Sequence, residues 1–164
     1  MIPDNILKIK RSQFVTFLDT TPASSTPTWK VLGIGITDYG IDYNPQVDTE
    51  KWIIEDNART DHTSNEKQSS VTQKIYKNDP CFEFVEKGRD ELNYTSHVLD
   101  IDRWNGTGTT YPAKMSDVVI AINTWMGEEA TLEYDIHYSG DAKVGTVQFD
   151  ANGVPTFTET STSL

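Results

Sequence analysis

Positive charge is scarce in this chain of 164 residues, which has 14 lysines and arginines against 25 aspartates and glutamates and a formal net charge of −11. A protein with this balance repels the phosphates of nucleic acids and anionic membrane surfaces. The sequence contains no long block of like charges, so the acidity is spread over the surface instead of forming a tail. The composition therefore argues against a protein that grips nucleic acid through a basic patch.

Cysteine and long apolar runs are also nearly absent. The single cysteine, Cys81, excludes a disulfide within the chain and a zinc site built from several cysteines. No stretch approaches the roughly 20 apolar residues that a membrane-spanning helix needs. The first residues lack the basic start and apolar run of a secretory leader. We expect a protein made and kept in the cytoplasm, at least initially, without a membrane anchor.

Strand-forming residues dominate what is present. Hydrophobic residues make up only 36% of the chain, whereas threonine occurs 21 times. β-branched side chains favour strands over helices, and a chain of this length suits one domain. We predict a single, mainly β domain over residues 1–164, a sandwich or barrel of antiparallel strands with a thin core.

Short apolar or alternating segments mark the expected strands. The segment 118–125 is the most apolar and is expected at the centre of the sheet. Gly140 and Asp141 predict a turn between the last two strands. The predicted strands are 12–18, 29–32, 51–55, 71–76, 96–104, 118–125, 131–138 and 144–149.

One flanking α-helix is predicted at about residues 80–92. Asp79 is a favourable N-cap. Pro80 suits the first helical position, because a backbone N–H there has no acceptor within the helix and its absence in proline costs no hydrogen bond. An apolar stripe at helical spacing follows, formed by Cys81, Phe84, Val85, Gly88 and Leu92.

The most unusual stretch is a long polar hairpin loop at residues 57–70, which has almost nothing to bury. A loop of this length inside a compact domain is more often functional or disordered than incidental. The two ends of the chain are also expected to be mobile, as an N-terminal arm at 1–10 and a threonine-rich tail at 156–164.

We find no constellation that predicts catalysis, a metal site or a cofactor. His62, His97 and His137 are far apart and lack ligand spacing, and His97 falls on the opposite strand face from Asp100 and Asp102. The many carboxylates are not accompanied by a nucleophile motif. Cys81 near a helix N-terminus suggests an activated thiolate, but its place on the apolar stripe favours a buried, inert thiol. The chain is therefore not expected to be an enzyme.

Several short segments occur in a fixed order between residues 9 and 149. They are IKRSQFVTFL at 9–18, PTW at 27–29, GIGIT at 33–37, IDYNP at 41–45, IEDNA at 54–58, DPCFEFV at 79–85, YSGD at 138–141 and GT at 145–146. In this order they resemble the tail tube (major tail) proteins of long-tailed bacteriophages.

The resemblance implies a β-sandwich or barrel with one flanking helix, of which six copies form a ring. Rings stack into a hollow tube through which DNA leaves the virion. It implies residence in the virion tail after synthesis in the host cytoplasm, with tape measure, tail terminator and distal tail proteins as partners. DNA would pass without specific binding, because the basic contacts that dominate nucleic-acid affinity are few.

The resemblance also implies that a long loop between two strands reaches the adjacent ring, with the terminal arms adding contacts. The candidate stacking residues are Asn57, Arg59, Thr60, Asp61, His62, Thr63, Ser64, Asn65, Glu66, Lys67 and Gln68. Carboxylates that line the lumen are the second expected feature, and the candidates are Asp100, Asp102, Glu133 and Asp135.

Two alternatives stay open. The inner-tube protein of a contractile injection particle shares the expected fold. A carbohydrate-binding β-sandwich module belongs to a different class, and it would need a surface platform of aromatic residues and a route of secretion. Candidates for such a platform are Trp52, Trp104, Tyr111 and Trp125, although aromatic residues in a β-rich domain are more often core.

Overall fold

The computed structural model describes residues 6–160. It is mainly β, with a nearly closed, barrel-like antiparallel sheet, one α-helix and a second small sheet, which confirms the expected fold class. The strands are β1 (Phe14–Asp19), β2 (Trp29–Leu32), β3 (Pro45–Glu50), β4 (Arg59–Asn65), β5 (Gln68–Lys74), β6 (Tyr94–Asp102), β7 (Thr110–Gly127), β8 (Thr131–Phe149) and β9 (Pro155–Glu159), and the helix α1 is Pro80–Lys87.

The main sheet closes on itself through the segment that follows β2. Its strand order is β2–β1–β6–β7–β8–β5, and β9 pairs with the far end of β8. After β2 the chain crosses to β5, where the Lys74 amide donates to the Gly35 carbonyl at 2.9 Å. Asp42 and Gln68 exchange two backbone hydrogen bonds of 2.8 and 2.9 Å. This seam satisfies backbone groups of β5 that would otherwise form an open edge.

Two hydrophobic clusters lie on opposite faces of the same strands. Successive side chains of a strand point to opposite faces, so Leu18 and Val98 enter the barrel interior, whereas Phe17 and Leu99 face the other way. Helix α1 covers the interior cluster with four buried side chains, Cys81, Phe82, Phe84 and Val85. The outer cluster consists of Phe17, Trp29, Leu99, Ile101, Ala113 and Val147.

The helix begins as predicted and ends five residues early. The Asp79 carboxylate accepts a hydrogen bond from the Cys81 amide at 3.1 Å, and Pro80 occupies the first turn. The helix ends before Gly88, where an added Cβ would lie 2.2 Å from the Tyr94 ring. Leu92, predicted on the buried stripe, is 97% exposed. None of the helices within residues 6–160 has the length and apolar character needed to cross a bilayer.

Cys81 is a buried thiol. It is 1% exposed, and burial raises its pKa to about 12. The thiolate is the nucleophilic form of cysteine, so this position favours the inert thiol over the activated one.

Several predicted segments are wrong in detail. Residues 51–55 form a turn instead of a strand, and β4 occupies half of the predicted loop 57–70. Gly140 and Asp141 lie within β8, because Gly140 adopts a positive φ of 67° at a register shift and lets the strand bend without ending. Strand β9 replaces the start of the predicted tail 156–164, whose residues 161–164 are outside the described range, as are residues 1–5 of the predicted N-terminal arm.

A buried polar network ties the helix cap to the barrel. The Gln73 amide nitrogen donates to the Ile34 carbonyl at 2.9 Å and to the Asp79 carboxylate at 2.7 Å. The Gln73 amide oxygen accepts from the Tyr134 hydroxyl at 3.1 Å. The amide nitrogen and the amide oxygen of the fully buried Gln73 side chain thereby both have hydrogen-bond partners, as burial of an amide requires.

We expect Asp79→Ala to destabilise the fold by about 2 kcal/mol, because it removes the N-cap and leaves a buried Gln73 N–H without its acceptor. Asp79→Ser keeps a capping oxygen and should lose about half as much. Urea denaturation monitored by circular dichroism measures both values. Equal losses for the two variants would contradict the role of the cap.

Candidate functional site

The second sheet is a hairpin of β3 and β4 that projects from the barrel. Every residue of both strands is exposed. The strands pair in antiparallel register, with Glu50 opposite Arg59 and one register shift between Gln46 and Val47. An isolated two-stranded hairpin is marginally stable in water. A hairpin that buries no side chain therefore adds little to the core and presents two free strand edges.

The base of the hairpin is anchored to the barrel seam. Asn44, in a left-handed conformation with φ of 39°, donates from its side chain to the Glu66 carbonyl at 3.1 Å. The Glu66 amide donates back to the Asn44 carbonyl at 3.3 Å. The Lys67 ammonium lies 5.1 Å from the Tyr43 ring centre. These contacts continue the Asp42–Gln68 pairing, so the hairpin leaves the seam with its base fixed.

The tip of the hairpin, which we define as residues 52–55, is an ordered turn with apolar corners. The Glu55 amide donates to the Trp52 carbonyl at 3.0 Å. This bond places Ile53 and Ile54 at the two central positions, where they are 99% and 86% exposed. Turn corners usually hold glycine, proline, asparagine or aspartate. Two exposed isoleucines there have no role in the fold of the chain itself.

Arg59 holds the tip in shape. Its guanidinium binds the Glu55 carboxylate, with Nε at 2.8 Å from Oε1, and lies 4.2 Å from the centre of the Trp52 ring. The Trp52 indole N–H in turn donates to the Glu50 carboxylate at 3.0 Å. A bidentate pair combined with a cation–π contact restricts the long arginine side chain. The tip therefore presents its isoleucines on a constrained turn.

The predicted stacking residues do not form one loop. Asn57 precedes β4, whereas Glu66 and Lys67 connect β4 to β5 and Gln68 begins β5 beside His137. The rest form β4 itself, in the order Arg59, Thr60, Asp61, His62, Thr63, Ser64 and Asn65. The outermost part of the projection is the tip, which the sequence pattern assigned to a strand.

The four predicted acidic residues lie on two different faces. Asp100 is buried inside the barrel, where it accepts hydrogen bonds from the hydroxyls of Thr16 at 2.6 Å and Tyr138 at 3.1 Å. Burial raises its pKa to about 6, with neighbouring Asp102 adding to the shift. Asp102 is half-buried on the same face, and burial raises its pKa as well. The structure therefore does not bring these two carboxylates together with Glu133 and Asp135 on one face.

Glu133 and Asp135 lie on the outer face of β8. Glu133 is exposed, whereas Asp135 accepts hydrogen bonds from Ser70 at 2.6 Å and Asn123 at 2.9 Å. Partial burial opposes ionisation of Asp135, but these two bonds together with nearby His137 outweigh it and lower the pKa of this carboxylate. The outer face of β7 and β8 is thus the acidic face of the sheet, and Asp117 of β7 also lies on it.

His97 lies on this outer face between two carboxylates. Its Nδ1 is 3.2 Å from the buried Asp19 carboxylate, and its Nε2 is 3.4 Å from the exposed Asp117 carboxylate. As the strand pattern predicts, it lies on the opposite face from Asp100. Across residues 6–160, no cluster of three or more histidine, cysteine, aspartate or glutamate side chains is arranged to hold a metal ion.

The aromatic residues proposed as a sugar platform are separated. Trp104 packs against Phe14, Trp125 stacks on Phe82, and Tyr111 meets Phe149 edge-on. Trp52 is at the hairpin tip under the Arg59 guanidinium. Because each ring has a different neighbour, they offer no common flat surface to a sugar.

Sequence reasoning missed the tip and strand β3. The available signal was the apolar triplet 52–54 between charged residues, which fits a strand and an exposed turn equally well. No protein-family model matches the chain, and no curated protein sequence matches it.

Proposed function

We propose that the chain is the structural subunit of a bacteriophage tail tube, which assembles from hexameric rings into a hollow conduit for DNA and has no enzymatic activity. The observation that carries the proposal is the hairpin of β3 and β4, an arm whose side chains are all exposed and whose tip bears two isoleucines. An arm of this kind suits contact with another molecule better than stabilisation of its own barrel. The ordered sequence resemblance supplies the class of assembly.

The distribution of charge supports the proposal. The outer face of β7 and β8 carries Asp117, Glu133 and Asp135, and the chain as a whole has a net charge of −11. If this face lines the lumen, carboxylates face the DNA. Basic contacts supply most of the affinity of proteins for nucleic acid, so a polyanion would slide past this face without binding.

The exposed hairpin also suggests how premature polymerisation is limited. The two strands are held in place only by their pairing with each other. Where docking to another copy orders the hairpin further, the conformational entropy that is lost opposes spontaneous nucleation of tubes. We expect the purified protein to be mainly monomeric at low concentration. The same partners remain part of the proposal, namely further copies of the chain and the tape measure, tail terminator and distal tail proteins.

Electron microscopy of the concentrated protein tests the proposal directly. We expect negatively stained rings or hollow tubes for the natural chain. Replacing residues 46–64 with a two-residue Asn-Gly turn should abolish tubes and leave the thermal unfolding transition nearly unchanged, because the hairpin buries no side chain.

The matched control removes residues 23–26 from the exposed connection between β1 and β2, which should preserve tubes. A natural chain that remains monomeric at high concentration contradicts the proposed function. Tubes that persist after the hairpin is replaced contradict the role given to the hairpin.

A further inference from the structure

We infer that the hairpin tip of one copy docks in an apolar groove on a second copy of the chain. The groove is lined by Val15, Phe17, Val31, Arg103, Tyr111 and Phe149 and has a volume of about 400 Å³. The inference rests on the proposed function and names the surface that receives the arm.

The groove is an open side of the outer hydrophobic cluster. Phe17 is buried at its floor, Val15, Tyr111 and Phe149 are half-buried, and Val31 is 45% exposed at its rim. The Tyr111 and Phe149 rings meet edge-on with centres 5.7 Å apart. Exposed apolar surface that continues a core is typical of an interaction site. Its chemistry suits a small aliphatic group such as the corner of the tip.

Arg103 gives the groove a charge. Its guanidinium lies 5.8 Å from the Tyr111 ring centre and 5.5 Å from that of Phe149. Of the carboxylates in residues 6–160, none forms an ion pair with Arg103. The segment around the tip, residues 50–59, contains three carboxylates and two cations, Lys51 and Arg59, and therefore has a net charge of −1. Two of these carboxylates, Glu50 and Asp56, form no ion pair within residues 6–160. An apolar turn with a net negative charge around it is therefore complementary to an apolar groove with a cationic rim.

The groove that receives the tip belongs to another copy. Strand β3 has six residues and extends the tip about 20 Å from the hairpin base at a rise of about 3.3 Å per residue. The hairpin strands are exposed along their whole length, so the tip does not fold back onto the chain that carries it. Because the tip and the groove are different surfaces of one chain, their contact is head to tail and continues from copy to copy.

Chemical cross-linking of the assembled protein tests the contact. One preparation carries Ile53→Cys and the other Val31→Cys, and the two are mixed, assembled and treated with a short bis-maleimide. Cys81 stays unreactive because it is buried. We expect a covalent dimer on denaturing gels. The control mixture pairs Ile53→Cys with Met126→Cys, an exposed site near the end of β7, and should give no dimer above background.

A second measurement needs no cross-linker. Ile53→Asp should raise the protein concentration required for assembly at least tenfold, because a carboxylate replaces the side chain that enters the apolar groove. Leu92→Asp changes an equally exposed aliphatic residue outside the hairpin and should leave that concentration unchanged. Arg103→Glu should act like Ile53→Asp.

The outcomes separate the two proposals. Tubes that form without the Ile53–Val31 cross-link, or an Ile53→Asp variant that assembles normally, overturn the tip-in-groove contact and leave the tube function standing. A specific cross-link in a protein that never forms rings or tubes supports the contact and overturns the tube function.

Discussion

Asp100→Asn is expected to make the protein more stable at neutral pH and to remove much of its pH dependence between about 4 and 6. In the folded chain, burial raises the pKa of Asp100 from 3.8 to about 6. The folded state therefore holds this proton more tightly than the unfolded state. The stability linked to Asp100 is fully present below about pH 4 and is lost as the pH rises through about 6.

The size of the effect follows from the same pKa difference. At about 1.4 kcal/mol for each pKa unit, ionising Asp100 inside the barrel costs up to about 3 kcal/mol at pH 7. Asparagine keeps an oxygen to accept from Thr16 and an N–H to donate to the Tyr138 hydroxyl, which also contacts the Tyr39 hydroxyl at 3.1 Å. The variant avoids the ionisation without losing the network.

Urea denaturation at a series of pH values from 4 to 7.5 measures this prediction. The free energies of unfolding of the two chains should converge near pH 4, diverge between pH 4 and 6, and differ by a constant amount above about pH 6. Glu133→Gln is the control, because that carboxylate is exposed on the opposite face of the sheet and does not contact Asp100. A constant difference between natural chain and Asp100→Asn at all pH values would show that Asp100 does not titrate as inferred.

Gly35→Ala is expected to open the barrel seam and to destabilise the fold by about 3 kcal/mol. Gly35 has a φ of +74°, and a Cβ there would lie 2.3 Å from the Lys74 carbonyl oxygen. The left-handed conformation costs a non-glycine residue about 1–2 kcal/mol. The backbone shift that relieves the clash would also break the hydrogen bond from the Lys74 amide to the Gly35 carbonyl.

Gly33 provides the matched control two residues earlier. A Cβ at Gly33 meets no atom within 4 Å, so Gly33→Ala should change the unfolding free energy by less than about 0.5 kcal/mol. Hydrogen exchange at the Lys74 amide should accelerate in Gly35→Ala and not in Gly33→Ala. Equal exchange rates in the two variants would mean that the seam does not depend on Gly35.

The sequence predicts best where one short-range rule decides the structure. The start of α1 follows from Asp79 and Pro80 alone, because capping is local. Its end does not follow, because the constraint on Gly88 comes from the ring of Tyr94, six residues further along. Strand β2 is predicted with its observed bounds, whereas β7 begins eight residues before the predicted segment because its first part pairs with the end of β8.

The sequence predicts a polar hairpin loop at 57–70, but the two strands of the observed hairpin could not be predicted, because neither strand buries a side chain. Strands β3 and β4 are polar on both faces, so they lack the alternation by which strands are recognised. The isoleucines of the tip resemble a strand core although they occupy a turn. For Asp100, strand parity correctly groups it with Asp102, but parity cannot tell which face of a sheet is inside. That choice depends on where the other strands and the helix pack.

The two hydrophobic clusters on opposite faces of β6 have a consequence for how the molecule tolerates sequence change. A slip of one residue in β6 would move Val98 and Leu99 into each other's clusters, so burial on both faces fixes its register. Strands β3 and β4 bury no side chain that could fix their register. Substitutions in the hairpin are therefore nearly free of consequence for folding, and this part of the chain can diverge to match a changing neighbour while the barrel stays the same.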